Sequence, residues 1–181
     1  MKNFTDNWVE DLLTWTEENN IEELFPDQEY QLIVLEELDL SGKRLTRLPD
    51  SFCNLKSLRE LNLSLNELIF IPEGIGDLVN LTNLYLSYNQ LTTLPQSFAS
   101  LVNLTDLNLR SNQLTTLPES IGGLYNLTSL DLYDNKLTSL PESILTLPNL
   151  TSLELQNNKL TSLPESIGGL VNLTSFGLSI N

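Results

Sequence analysis

The chain has 181 residues, 24 of them acidic and 9 basic, a formal net charge of −15 and no histidine. That is one domain of ordinary size, without the imidazole that Ser-His, Cys-His and His-ligated metal chemistry require. Its one cysteine, Cys53, cannot close an internal disulfide, and a pI near 4.1 argues against nucleic acids and anionic membranes as partners.

The first residues hold no apolar run of signal-peptide length, and no stretch reaches the ~18 apolar residues of a membrane span. The expected compartment is the cytoplasm, with signal-independent export left open. Phe4, Trp8, Leu12 and Trp15 then recur at helical spacing, while Asp6, Glu10, Asp11, Glu17 and Glu18 take the other face. This predicts an amphipathic helix over 4–19 that caps the first edge of the downstream structure. Residues 20–34 read as half a degenerate repeat, because Phe25-Pro26 lies 23 residues before Leu48-Pro49 and Leu32 lies 23 before Leu55.

From Leu35 the chain repeats. Leu35, Leu58, Leu81, Leu104, Leu127, Leu150 and Leu173 are each 23 residues apart. Every unit continues with a leucine or phenylalanine three residues on, a leucine two further, and then a fixed polar position. That position holds Asn66, Asn89, Asn112, Asn135, Asn158 and Asn181, with Lys43 in the first unit. A Leu-Pro or Ile-Pro pair and a large apolar residue close each complete unit. Alternation in the leucine core predicts short strands near 37–41, 60–64, 83–87, 106–110, 129–133, 152–156 and 175–179, stacked in parallel because no single unit can bury its face alone. The asparagines are expected to satisfy backbone groups of neighbouring turns.

These L-x-x-L-x-L-x-x-N units with an L-P-x-x-I-x-x-L second half resemble the leucine-rich repeat family, in its 23-residue intracellular-type class, common in bacteria. The resemblance implies an α/β-type horseshoe solenoid with a concave parallel sheet and an irregular or 3-10 convex side. It predicts two parts: an N-terminal helical cap with a half repeat over 1–34, and repeats over 35–181, six complete and a seventh partial. Leu173, Phe176, Leu178 and Ile180 belong to a coil with no successor, which predicts weak self-association through that end, most simply as a two-fold dimer.

Residues 1–40 carry 12 acids and one base, and residues 41–181 carry 12 acids and 8 bases. The N-terminal excess reads as a solvated face, with steering of a basic partner as the alternative. On the concave face the outward positions collect Leu65, Tyr85, Tyr88, Asp106, Asn108, Arg110, Asp131, Tyr133 and Glu154. Tyrosine and arginine are enriched where interfaces carry their energy, so these residues form the candidate partner-binding patch. Phe70 stands where later units have Thr or Ser.

The expected function is non-catalytic recognition of a protein partner on the concave face, with no cofactor, no metal and no catalytic residue. Bacterial proteins of similar sequence include secreted effectors acting on host proteins, which is the alternative. A hydrolase built on Asp131 and Glu154, adjacent at one position of neighbouring strands, is the third reading; an open sheet gives it no apolar pocket to raise a carboxyl pKa. Asn80-Leu81-Thr82 and its later copies read as glycosylation sequons produced by the repeat template. Cys53 is expected to be a small structural residue on the back of the first coil.

Overall fold

A computed structural model describes residues 7–26, 28–179 and 181. Phe4 and Asp6 of the expected helix, and Ile180 of the expected self-association surface, lie outside the described residues. Helix α1 spans Asn7–Glu18. Its buried stripe is Val9, Leu12, Trp15 and Thr16, with Trp8 only half-buried, so the apolar face is turned toward Val9 from the stripe predicted. Trp15 sets the contact: its ring meets Phe25 edge-on at 6.2 Å and Phe52 of the first coil at 6.0 Å. A single-turn helix α2, Glu29–Leu32, comes next and buries Leu32.

Seven strands succeed it: β1 Glu37–Asp39, β2 Glu60–Asn62, β3 Asn83–Tyr85, β4 Asp106–Asn108, β5 Ser129–Asp131, β6 Ser152–Glu154 and β7 Ser175–Gly177. They form one open parallel sheet in sequence order, with every strand in register with the next at a 23-residue offset, so that β1 and β7 are its edges. The strands are three residues long, shorter than the five predicted, although the ladder carries on through single bonds such as Leu63 N–H to Tyr85 O at 2.8 Å.

The shortening has a local cause. In coils one, two, four and five the last strand residue is Asp39, Asn62, Asn108 or Asp131, and its side-chain oxygen accepts the N–H two residues on at 2.8–3.0 Å. That bends the chain out of the strand. Three residues further it adopts a left-handed conformation, at Gly42, Leu65, Tyr88, Ser111, Asp134 and Asn157. After the Leu-Pro step, five-residue 3-10 turns begin directly beyond Pro49, Pro72, Pro95, Pro118 and Pro141. Each proline fixes an extended residue where a strand could not continue. Between sheet and turns lies one continuous core in which nearly every consensus leucine is fully buried. The bonding offset extends back before the first strand, since Ser57 Oγ donates to Ile33 O at 2.5 Å and Arg59 N–H to Glu36 O at 2.7 Å.

Candidate binding face of the sheet

The asparagine positions are interior. Asn66, Asn89, Asn112, Asn135 and Asn158 are buried. Asn112 shows the pattern: its Nδ2 donates to Leu86 O at 2.9 Å in the preceding coil and to Leu109 O at 3.1 Å in its own, while its Oδ1 accepts the Leu91 N–H at 3.0 Å. Asn181 repeats this bonding to Leu155 O, Leu178 O and the Leu160 N–H. In the first coil Lys43 takes the position, and its ammonium reaches Glu23 at 3.9 Å. The sequon asparagines also serve the backbone: Asn80, Asn103, Asn126, Asn149 and Asn172 each donate to a carbonyl of the preceding coil at 2.7–2.9 Å.

The predicted patch divides. The guanidinium of Arg110 lies 4.0 Å from the centroid of the Tyr133 ring, one coil on, and the Tyr88 side chain, one coil back, acts on it electrostatically. Three consecutive coils thus contribute to one assembly, in which the Tyr88 side chain does most to keep the guanidinium pKa above its ordinary value. Tyr85 points its bonding elsewhere, its hydroxyl accepting the Asn83 amide at 3.2 Å. Leu65 is 61% exposed and Tyr88 48% exposed, with Ile69 and Phe70 exposed beside Leu65 in the same coil. Asn108 proves to be a turn residue, bonded to the Arg110 N–H.

The carboxylates differ. Asp131 and Glu154 are register partners. Glu154 accepts hydrogen bonds from Ser175 at 2.5 Å and Gln156 at 2.6 Å, the first of which does most to hold its pKa below the usual range. Asp131 is half-buried, and desolvation pushes its pKa up against the pull of the Tyr133 N–H and Arg110. Asp106 is half-buried too, raised first by burial and then by Asp131. The Asp106 carboxylate forms no hydrogen bond or ion pair among the described residues, although its N–H donates to Thr82 O at 3.1 Å. A hollow of about 400 Å³ beside β1 and β2 is walled by three further carboxylates, Glu37, Asp39 and Glu60. Among the described residues no group of three or more His, Cys, Asp or Glu is placed to hold a metal ion.

At the other end, Phe176 is 40% exposed on edge strand β7, and Leu173 and Leu178 are half-buried. Cys53 is buried, with its thiol pushed up to about 12 by burial and by the nearby Asp50 and Asp77 carboxylates. It fills space above Gly74, where an added Cβ would sit 2.8 Å from its Sγ. No helix among the described residues is long and apolar enough to cross a membrane.

The left-handed position beside the sheet is the part of the site that strand periodicity passes over. Its signal is compositional: Gly42, Ser111, Asp134 and Asn157 are turn residues at a fixed 23-residue spacing. Against that column Leu65 and Tyr88 stand out as bulky side chains held at φ of 59° and 55°.

Comparison with known proteins places the chain. A family model described as leucine-rich repeat region matches residues 96–180, and one described as leucine rich repeat matches 17–68 and 70–114. Among solved structures, a leucine-rich repeat protein of Leptospira interrogans is 30% identical, over 85% of this chain and 57% of that one, with a TM-score of 0.54. The ectodomain of the plant membrane receptor kinase GASSHO1/SCHENGEN3 from Arabidopsis thaliana, solved in complex with CASPARIAN STRIP INTEGRITY FACTOR 2, is 37% identical over 80% of this chain and 18% of that one, with a TM-score of 0.70. TLR13, solved with a single-stranded RNA, is 34% identical over 81% of this chain and 22% of that one, with a TM-score of 0.72. The chain therefore spans little more than half the length of the first of these and about a fifth of the other two. No curated protein matches it in sequence. With phased repeats, a parallel sheet in sequence order and family models matching more than half of its residues, the chain belongs to the leucine-rich repeat family.

Proposed function

We propose that this chain is a non-catalytic recognition module that binds a protein partner on the outward face of the sheet, across coils two to five. Leucine-rich repeat domains are in general interaction modules, and the solved relatives carry a named protein factor or an RNA. The observation that carries the reading is the Tyr88–Arg110–Tyr133 assembly. It holds an arginine and two tyrosines in one arrangement before any partner arrives, which lowers the ordering cost of binding. In this reading Asp131 and Glu154 serve the coils: Glu154 accepts from Ser175 and Gln156, and Asp131 accepts the Tyr133 N–H.

In this reading residues 1–34 are a cap with a half repeat, residues 35–181 are the recognition array, and the chain works in the cytoplasm. The test is quantitative capture from native lysate with the wild-type chain and with Tyr88→Ala plus Arg110→Ala. A protein retained by the first and lost from the second, with melting unchanged, supports the reading. Equal retention by both overturns it.

A further inference from the structure

The outward face has an electrostatic character that its aromatic assembly does not account for. The three outward columns of the sheet carry Glu37, Asp39, Glu60, Asp106, Asp131 and Glu154 against one cation, Arg110. That cation is already engaged by Tyr88 and Tyr133. The Asp106 carboxylate is half-buried with no hydrogen bond or ion pair among the described residues, and its neighbour Asp131 is half-buried with one oxygen free of the Tyr133 N–H. Asp131 has Arg110 as a counter-charge, but the half-buried Asp106 carboxylate has none, which is costly, and the cost is recovered when a cation arrives.

An apolar surface lies alongside. Tyr85 sits on β3 in register with Asn108 of β4, so its ring is one strand, about 4.8 Å, from the strand that bears Asp106. Beyond it Leu65 and Tyr88 project into solvent from left-handed positions. Other coils meet the same turn with Gly42, Ser111, Asp134 or Asn157, which tolerate that conformation far better. Bulky residues that keep backbone strain and stay exposed contribute nothing to the core, which points to a contact made outside the chain.

Resting on the reading that this face binds a protein, we propose that its occupant is an extended, basic segment of that partner. One lysine or arginine lies between Asp106 and Asp131, and an adjacent apolar side chain covers Tyr85, Tyr88 and Leu65. Charge complementarity selects this occupant. A second copy of the chain would set six carboxylates against six, and an RNA would set phosphates against them. The lysine or arginine stem packs along the tyrosine ring while its charge meets the carboxylates.

The experiment pans a library of random linear 12-residue peptides on the intact immobilised chain, then measures the enriched peptides by fluorescence anisotropy. A single-stranded poly(U) 20-mer is the competing probe. Enriched sequences should pair Lys or Arg with a neighbouring apolar residue, and their affinity should fall with rising salt. It should fall about tenfold or more in Asp106→Asn with Asp131→Asn, and it should be unchanged in Glu142→Gln, on a 3-10 turn away from the sheet. Asp131→Asn keeps the oxygen that accepts the Tyr133 N–H, so the coil stays folded, and circular dichroism checks this. Peptides without a basic excess, or affinity untouched by the two asparagine variants yet lost in Tyr88→Ala with Arg110→Ala, overturn the basic occupant and leave the binding face standing. Affinity untouched by either pair of variants, or no enriched peptide at all, counts against both readings. Tight poly(U) binding overturns a protein occupant.

Discussion

The guanidinium of Arg110 lies 4.0 Å from the centre of the Tyr133 ring, although 23 residues separate them. The repeat places them in neighbouring coils, just beyond β4 and β5, and the Tyr88 side chain of the preceding coil also acts on the guanidinium. A double-mutant cycle with Arg110→Ala and Tyr133→Ala should give a coupling of about 0.5–1 kcal/mol in urea melts, the range for a partly exposed cation–π pair. Arg110→Lys should lose most of it, because an ammonium has no planar group to stack on the Tyr133 ring. Strict additivity of the two alanine changes would show that the contact is not kept in solution.

The asparagine column makes a stronger demand. Asn112→Ala leaves the Leu91 N–H without a partner in a dry interior and takes one of two amide donors from the Leu86 and Leu109 carbonyls, which keep Asn89 and Asn135. The cost is about 1–3 kcal/mol for the unpaired N–H. Gln113→Ala removes only an exposed contact to Lys136 and should cost less than ~0.5 kcal/mol. Thermal melts of the two variants should differ by several degrees, and similar melting temperatures would refute the structural role.

At Leu65 the expected sign is the opposite. Its φ of 59° suits glycine, and its side chain is 61% exposed, so little packing is lost on removal. Leu65→Gly should stabilise the chain by about 1 kcal/mol, while Ser64→Gly, one residue earlier, should destabilise it by a similar amount. The same Leu65→Gly change should weaken partner binding. Loss of both stability and binding would mean that Leu65 is a packing residue.

The repeat arithmetic made most of the fold legible, because register, strand order and core are consequences of one 23-residue period: Leu61 and Leu84 are adjacent because they are 23 apart. Strand length was less legible. Asp39 and Asn62 look like outward sheet residues, and only their bonds to the backbone two residues on reveal them as turn formers. The helix stripe shifted for a similar reason, since Val9 and Trp8 are both apolar and periodicity does not say which one is buried. In the proposed binding face, sequence brought Tyr88, Arg110 and Tyr133 to neighbouring coils but could not show that Tyr85 bonds Asn83 instead. Nor could it show that Asp106 lies unpaired, since that depends on side-chain direction.

Asp131 predicts a pH dependence of defined sign. Its folded pKa is raised, mainly by desolvation, so the folded chain holds that proton more tightly than the unfolded one. Stability contributed by this group is therefore present at acid pH and lost as pH rises through its folded pKa. Asp131→Asn, which keeps the turn acceptor, should melt slightly higher than wild type at about pH 7 and lose that advantage as pH approaches ~4. Glu154, held low by Ser175, runs the other way: its contribution is present above the ordinary glutamate range and is lost on acidification. A lower melting temperature for Asp131→Asn at neutral pH would show that Arg110 outweighs desolvation at this site.

Cys53 gives a probe of the first coil. Its thiol is pushed up to about 12, first by burial and then by Asp50 and Asp77, against an ordinary value of 9.0. The thiolate is the reactive form, so the folded chain should resist Ellman's reagent at about pH 8 and react fully once urea unfolds it. Because the folded pKa is raised, the stability this group contributes is intact below pH 9.0 and declines as pH climbs toward about 12. Cys53→Ala should flatten that alkaline decline. The labelling rate without denaturant then reports opening between helix α1 and the first coil, where Trp15 meets Phe52. Trp15→Ala should speed it strongly, while Tyr133→Ala, four coils away, should leave it unchanged. Rapid labelling of the wild-type chain at neutral pH would overturn the buried placement of Cys53.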